Sequence, residues 1–282
     1  MAGVINTPRR SPAMPVRPRR AAMRKFDSLS IPQQIMVSLA DTPSNDAHVD
    51  ACVPINNAFS KVTSTLVGGE TIVEIGCGCG LQSIEMARRV GPRGRVVSID
   101  SFPDAINAAR RNAAAAGLDN IDFFLCRVDS VPLPTGAADL IISEGVFCPS
   151  SGKMAVFREM YRVLAPGGKI VIHDIAIRKL LPPEIADSIA AFTFGLAGAI
   201  ELSSYRKLLS STGFVHCDVI ESNSNSHLER FWDASAPNPI CGHKPADASV
   251  IPGETSDRHW LHEYITGIRL QACKPVATAI RA

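Results

Sequence analysis

Thr71-Ile72-Val73-Glu74-Ile75-Gly76-Cys77-Gly78-Cys79-Gly80 decides the fold, because an apolar run there breaks into three glycines at alternate positions. The run reads as a buried parallel strand, and the glycines as a loop whose backbone comes very close to something. Residues without a Cβ take the tight bends this needs, and Leu81 to Ala87 supplies the start of the following helix. Taken alone, the loop fits a dinucleotide site and equally a structural turn.

Asp100 is the second half of the reading. It lies 24 residues after Gly76 and closes a second apolar run, Arg95-Val96-Val97-Ser98-Ile99. At the carboxyl end of a second strand, an acid accepts hydrogen bonds from both ribose hydroxyls of a nucleotide cofactor. The same aspartate would also serve as an N-cap for a helix from Pro103 to Ala116, although Ser101 can fill that role.

Further along, Ile121 to Leu125 predicts a third strand, Ala138 to Ser143 a fourth and Lys169 to Ile175 a fifth. A helix from Met154 to Leu164 and the turn Ala165-Pro166-Gly167-Gly168 separate the last two. Strands alternating with helices predict an α/β, doubly wound Rossmann-like sheet, with its ligand crevice at the carboxyl ends of strands one, two and four. Ile185 to Leu196 and Tyr205 to Leu209 read as later helices, Phe214 to Ile220 as a sixth strand and Tyr264 to Ala272 as a seventh. Residues 222–262 lack a period and read as a lid. Ile31 to Leu39 and Ile55 to Leu66 have helical spacing and predict an N-terminal cap. The domain plan is therefore a disordered basic tail (1–25), a helical cap (26–66), a cofactor-binding core (67–221), the lid insertion (222–262) and a last strand with its tail (263–282).

Composition sets the class. The 282 residues are 46% hydrophobic and 20% charged with few aromatics, which suits a soluble α/β protein. No apolar run approaches the ~18 residues of a membrane span. Net charge is only +2, yet residues 1–25 hold six arginines and Lys25 with no acid. Interleaved prolines make that tail an extended leader rather than a transit helix, and nucleic acid is not the expected partner. Eight cysteines form neither a disulfide framework nor a CxxC metal pattern, so the expectation is a cytoplasmic chain with reduced thiols and no structural zinc. Cys217 alternates with Val215 and Val219 and reads as core, while Cys77 and Cys79 read as packing groups of the loop.

The motifs taken together, V-E-I-G-C-G-C-G, V-V-S-I-D, A-A-D-L-I-I-S and R-V-L-A-P-G-G-K-I-V-I-H-D, resemble the class I S-adenosylmethionine-dependent methyltransferases. The resemblance covers roughly residues 60–220 and implies a seven-stranded sheet of that class, with S-adenosylmethionine as cofactor. It implies that Glu74, Gly76, Gly78 and Gly80 cradle the methionine and ribose portions, that Asp100 binds the ribose, that Ser101 lines the adenine, that Val128 and Asp129 meet the adenine amine, and that Ser143 closes the near side. A nicotinamide oxidoreductase fits less well, since the third glycine of the dinucleotide spacing is absent.

Within that class the chain is similar to the arsenite methyltransferases. The match runs through His173-Asp174-Ile175, Leu181-Pro182, Gly195-Leu196-Ala197-Gly198-Ala199 and Thr212-Gly213-Phe214. Gly195 stands where that family carries an arsenic-binding cysteine, and Ser143 is followed by Glu144-Gly145 where the family has Asn-Cys. The resemblance implies a small-molecule acceptor, trivalent arsenic or a thiol-bound arsenical, gripped by soft thiolates. Cys52, Cys148 and Cys241 are the candidates. An oxygen, nitrogen or carbon acceptor would instead use a base, for which Glu144 and His173 stand at the right strand ends, with Asp174 beside them. A protein of this fold that binds cofactor without catalysis is the remaining class.

Overall fold

The computed structural model describes residues 65–145, 152–180, 198–222 and 263–276, all within the compact unit Pro43–Ala282. The expectations for the basic tail, the N-terminal helices, the helix from Ile185 to Leu196, Gly195, the lid and Cys52, Cys148 and Cys241 lie outside the described residues.

The described chain runs β1 (Thr71–Ile75), α1 (Leu81–Val90), β2 (Arg95–Asp100), α2 (Pro103–Ala115), β3 (Ile121–Leu125), β4 (Ala138–Glu144), α3 (Lys153–Val163), β5 (Leu164–Ile177), β6 (Ile200–Glu201), α4 (Leu202–Thr212), β7 (Val215–Ser222) and β8 (Ile265–Cys273). The sheet order is β3-β2-β1-β4-β5-β8-β7, with the short β6 attached to β5. Strands β1 to β5 pair in parallel, and β8 enters antiparallel between β5 and β7. The reversal of order at β1 and β4 opens the crevice at their carboxyl ends.

Burial explains why the apolar runs become central strands. Ile72, Ile75, Val96, Ile99, Ile141, Ile142, Ile170 and Ile172 are almost wholly enclosed, because helices pack on a parallel sheet from both faces. On one face, Ile72, Met86, Ala87, Val90 and Val96 form a cluster that seats α1. Cys77, Ile84, Ile106, Ala109, Ala113 and Phe123 seat α2 beside it. Burying each such side chain stabilises the fold by about 1.5–3 kcal/mol, so these clusters hold the loop after β1 on a rigid base.

Three details depart from the expectations. β5 starts at Leu164, ahead of Lys169, because the ladder to β4 resumes through an irregularity between Ala138 and Leu140. The Pro166-Gly167-Gly168 turn therefore belongs to the strand, and it is tied to the end of β8 by Gly167 N–H donating to Lys274 O and Lys274 N–H donating to Gly168 O, both 2.9 Å. β6 was not anticipated, since two residues carry no periodicity. Cys217 is only half-buried, and Val215 is 39% exposed, so the predicted core alternation fails there. A β-bulge between Val215 and Asp218, with His216 at φ 52°, resets the faces before Val219 enters the core.

Candidate functional site

The loop after β1 is built by three glycines at positive φ, 77° at Gly76, 52° at Gly78 and 80° at Gly80. A Cβ on Gly80 would lie 2.8 Å from Ala109 Cβ, so this glycine lets the loop settle onto α2. A Cβ on Gly78 would meet nothing within 4 Å. Gly78 thus faces open space and Gly80 a neighbour. The loop is anchored to β2 by Gly76 and Cys77 N–H groups donating to Ile99 O at 2.8 and 3.1 Å.

Asp100 locks the same loop from the next strand. Its Oδ2 accepts the Gly78 N–H and its Oδ1 accepts the Phe102 N–H, each at 3.0 Å. Burial raises its pKa, while the backbone donors of Phe102, Gly78 and Ser101 oppose the rise. Each carboxylate oxygen has further lone pairs, so Asp100 can still accept two hydroxyls of a ligand over the loop. Phe102, not Ser101, is the N-cap residue of α2, and no side chain caps it.

Glu74 lies beneath the loop at 1% exposure. Its Oε2 accepts hydrogen bonds from Ser83 Oγ on α1 and from Ser98 Oγ on β2, the latter at 2.9 Å. Its Oε1 is buried without a partner among the described residues. Desolvation is the main cause that pushes its pKa up to about 7, with Glu144 and Asp100 adding repulsion. Those two carboxylates therefore converge on Glu74 across three strands. Glu144 in turn accepts a hydrogen bond from Gln82 Nε2, in the first turn of α1.

Strand register extends this arrangement sideways. Glu144 is paired with His173, and His173 with Arg269. Register partners project to the same face, and Glu144 reaches α1, so all three share the α1 face. Ile75 pairs with both Ile99 and Ser143, which aligns Asp100 with Glu144 one step further on. One row across the sheet thus carries Asp100 and Glu144, the last residues of β2 and β4, with His173 and Arg269 inside β5 and β8.

The other anticipated residues stand apart from this row. Ser143 is buried and its Oγ donates to Ile75 O at 3.3 Å, a structural bond between strands. Asp129 is gripped by Arg127 through a two-pronged ion pair of 2.9 and 2.6 Å, which lowers its pKa. Val128 beside it is half-buried and Ser101 is exposed. Asp174 is buried and its Oδ1 accepts the Ile175 N–H at 2.7 Å. Cys77 packs in the α2 cluster, and burial drives its thiol far upward; Cys126 is pushed up to about 12 for the same reason. The expectation of reduced thiols is corrected at one position, because Cys79 is disulfide-bonded, whereas Cys77, Cys126, Cys217 and Cys273 are free. Among the described residues, no group of three or more His, Cys, Asp or Glu could hold a metal ion, and no helix is long and apolar enough to cross a membrane.

Sequence reasoning missed Ser83, Ser98, Gln82 and Arg269. Ser98 carried a weak signal, since it precedes Asp100 by two on a strand and so shares its face. Gln82 and Arg269 carried none. Their places follow from the helix that leaves the loop and from an antiparallel pairing of distant segments.

Comparison with known proteins gives this geometry a context. The profile of a family described as Methyltransferase domain matches residues 66–213. An arsenite methyltransferase of Halobacterium salinarum is 29% identical over 174 residues, covering 62% of this chain and 44% of that protein. The chain thus spans under half of that relative's length. Among solved structures, the [4+2]-cyclase SpnF superposes with a TM-score of 0.61 at 21% identity, over 78% of this chain and 80% of that one. An arsenic(III) S-adenosylmethionine methyltransferase from Chlamydomonas reinhardtii superposes with a TM-score of 0.57 at 21% identity, over 85% of this chain and 76% of that one. At those identities the structures speak to fold alone.

Proposed function

Since this chain belongs to the S-adenosylmethionine-dependent methyltransferases, we propose that it transfers a methyl group from that cofactor to trivalent arsenic, as arsenite or an organoarsenical. The observation that carries the reading is the 29% identity to an arsenite methyltransferase over 174 residues.

The residues present fit the cofactor. Gly78 opens onto space where a Cβ would meet nothing, and Asp100 keeps lone pairs for ribose hydroxyls above the Gly78 amide. Glu74, Asp100 and Glu144 make the floor acidic, which suits a ligand bearing a sulfonium and an ammonium. When bound, the cofactor supplies an electrophilic methyl carbon that is displaced in line from sulfur. Glu144, held by Gln82, borders the place where the acceptor meets that carbon. His173 extends the border over β5. In this reading the chain contributes mainly position, with soft ligation of arsenic left to Cys52, Cys148 and Cys241.

A second reading has its own support. The described groups at the acceptor end, Glu144 and His173, are hard oxygen and nitrogen donors, which suit deprotonation of an oxygen, nitrogen or carbon acceptor. One experiment separates the two. Full-length chain is incubated with methyl-labelled cofactor and trivalent inorganic or methylated arsenicals, beside catechols and thiols. Arsenic-dependent label transfer that is lost in the Cys52→Ser, Cys148→Ser, Cys241→Ser triple variant is the expected result. Transfer to a catechol alone, abolished by Glu144→Gln, replaces arsenic with the second reading.

A further inference from the structure

The row ends, in the middle of β8, in a cation that the reaction as proposed above does not use. Arg269 lies on β8, directly opposite His173, and through it two strands from Glu144. Neighbouring strands are about 4.8 Å apart, so Arg269 stands roughly 10 Å from Glu144, on the side away from Asp100. Among the described residues, two other basic side chains at that end are ion-paired. Arg178 pairs with Glu221 and donates to Thr266 Oγ1, and Lys179 pairs with Glu263 at 3.2 Å. Arg269 has no ion pair and no side-chain hydrogen bond among the described residues, and its Nε is buried without a partner.

The neighbouring described residues on the sheet offer the guanidinium no counter-charge. Its register partner on β7 is Ile220, which offers no charge. On its own strand, the next residues on the same face are Gly267 and Gln271, and Gln271 already donates to Asp218 at 3.0 Å. Gly267 has no side chain to cover the guanidinium from the crevice side. A partly desolvated guanidinium without a counter-charge is costly to hold in a fold, and it becomes favourable once an anion supplies two parallel hydrogen bonds.

We infer that Arg269 binds an anionic group of the methyl acceptor, with His173 between it and the reacting end. The acceptor is therefore a small molecule whose carboxylate, or equivalent oxyanion, lies about two strand spacings, roughly 10 Å, from the methylated atom. For an arsenical this means arsenic presented on a carboxylate-bearing thiol. The inference deepens the proposed methyltransferase reading and rests on it for the location of the methyl carbon. The anion site itself rests on Arg269.

Calorimetry tests it with the full chain saturated with S-adenosylhomocysteine. The probes are 7-mercaptoheptanoate, whose extended chain spans that separation, and its neutral counterpart 7-mercapto-1-heptanol. The wild-type chain binds the carboxylate about tenfold more tightly, Arg269→Gln loses that preference, Arg269→Lys keeps part of it, and both variants bind S-adenosylhomocysteine as the wild type does. Absence of a preference in the wild type, or its survival in Arg269→Gln, overturns the inference. Label transfer from methyl-labelled S-adenosylmethionine, in separate mixtures free of S-adenosylhomocysteine that hold arsenite with the same thiols, separates the two layers. A carboxylate preference without any methylation of arsenicals retires the arsenic reading and leaves the anion site standing.

Discussion

Glu144, the last residue of β4, and His173, inside β5, are register partners on adjacent parallel strands, and the Gly145 N–H donates to His173 O at 2.8 Å to fix the pairing. In the proposed function this pairing joins a cofactor half, centred on Asp100 and the glycine loop, to an acceptor half that continues to Arg269. A backbone bond sets it, so the two side chains keep their relative place when either is substituted.

Asp100→Asn tests the cofactor half. The amide can present only one accepting oxygen, so either the Gly78 or the Phe102 donor loses its partner. Cofactor affinity should fall by about tenfold to a hundredfold, since a buried unsatisfied donor costs about 1–3 kcal/mol. Titration calorimetry with S-adenosylmethionine reads this directly, and unchanged affinity would remove Asp100 from the site.

Glu74 predicts a pH dependence of stability. Its folded pKa is raised from 4.5 to about 7, so the native state holds a proton that the unfolded chain releases. Stability is then fully present below about pH 4.5, falls as pH rises towards 7 and is flat above, a loss on the order of 3 kcal/mol. Glu74→Gln should be flatter between pH 5 and 8 and more stable than the wild type at pH 8. Urea melts of the cofactor-free chain at those two pH values check the sign.

Two glycines of the loop should respond differently to alanine. Gly80→Ala forces a Cβ to 2.8 Å from Ala109 Cβ and 3.1 Å from Ala109 Cα, and should cost about 2–3 kcal/mol in thermal or urea melts because overpacking adds to the positive φ. Gly78→Ala meets no atom, so about 1 kcal/mol is expected from φ alone. Its larger effect should be weaker cofactor binding. Equal stability losses in the two variants would contradict this division of roles.

Gln82 and Glu144 should act as a coupled pair. Turnover of Gln82→Ala, Glu144→Gln and the double variant forms a cycle in which the two losses are non-additive by about 0.5–2 kcal/mol. Additive losses would mean that Gln82 does not position the carboxylate.

The local structure around the glycine loop and Asp100 was legible because it rests on contiguous runs of the chain. An apolar strand, three alternate glycines and an acid ending the next strand each obey local rules, and β1, β2 and β3 fall within a residue of where periodicity places them. The irregular start of β5 and the two-residue β6 escaped because tertiary pairing alone defines them. Cys217 was misread because a bulge at His216 shifts the strand face, and a single inserted residue leaves no mark on a pattern of period two.

By itself, the sequence determined the class of the protein: a doubly wound sheet, a glycine loop from Gly76 to Gly80 after the first strand and an acid, Asp100, at the end of the second. Only the tertiary structure decided what stands beside them. Glu74 gains its raised pKa from burial under α1, Gln82 reaches Glu144 across the crevice, and Arg269, 96 residues beyond His173, arrives opposite it through an antiparallel strand. The physical reason is that strand register is a relation between distant backbones. No run of residues encodes it locally, yet it places Asp100, Glu144, His173 and Arg269 in one row.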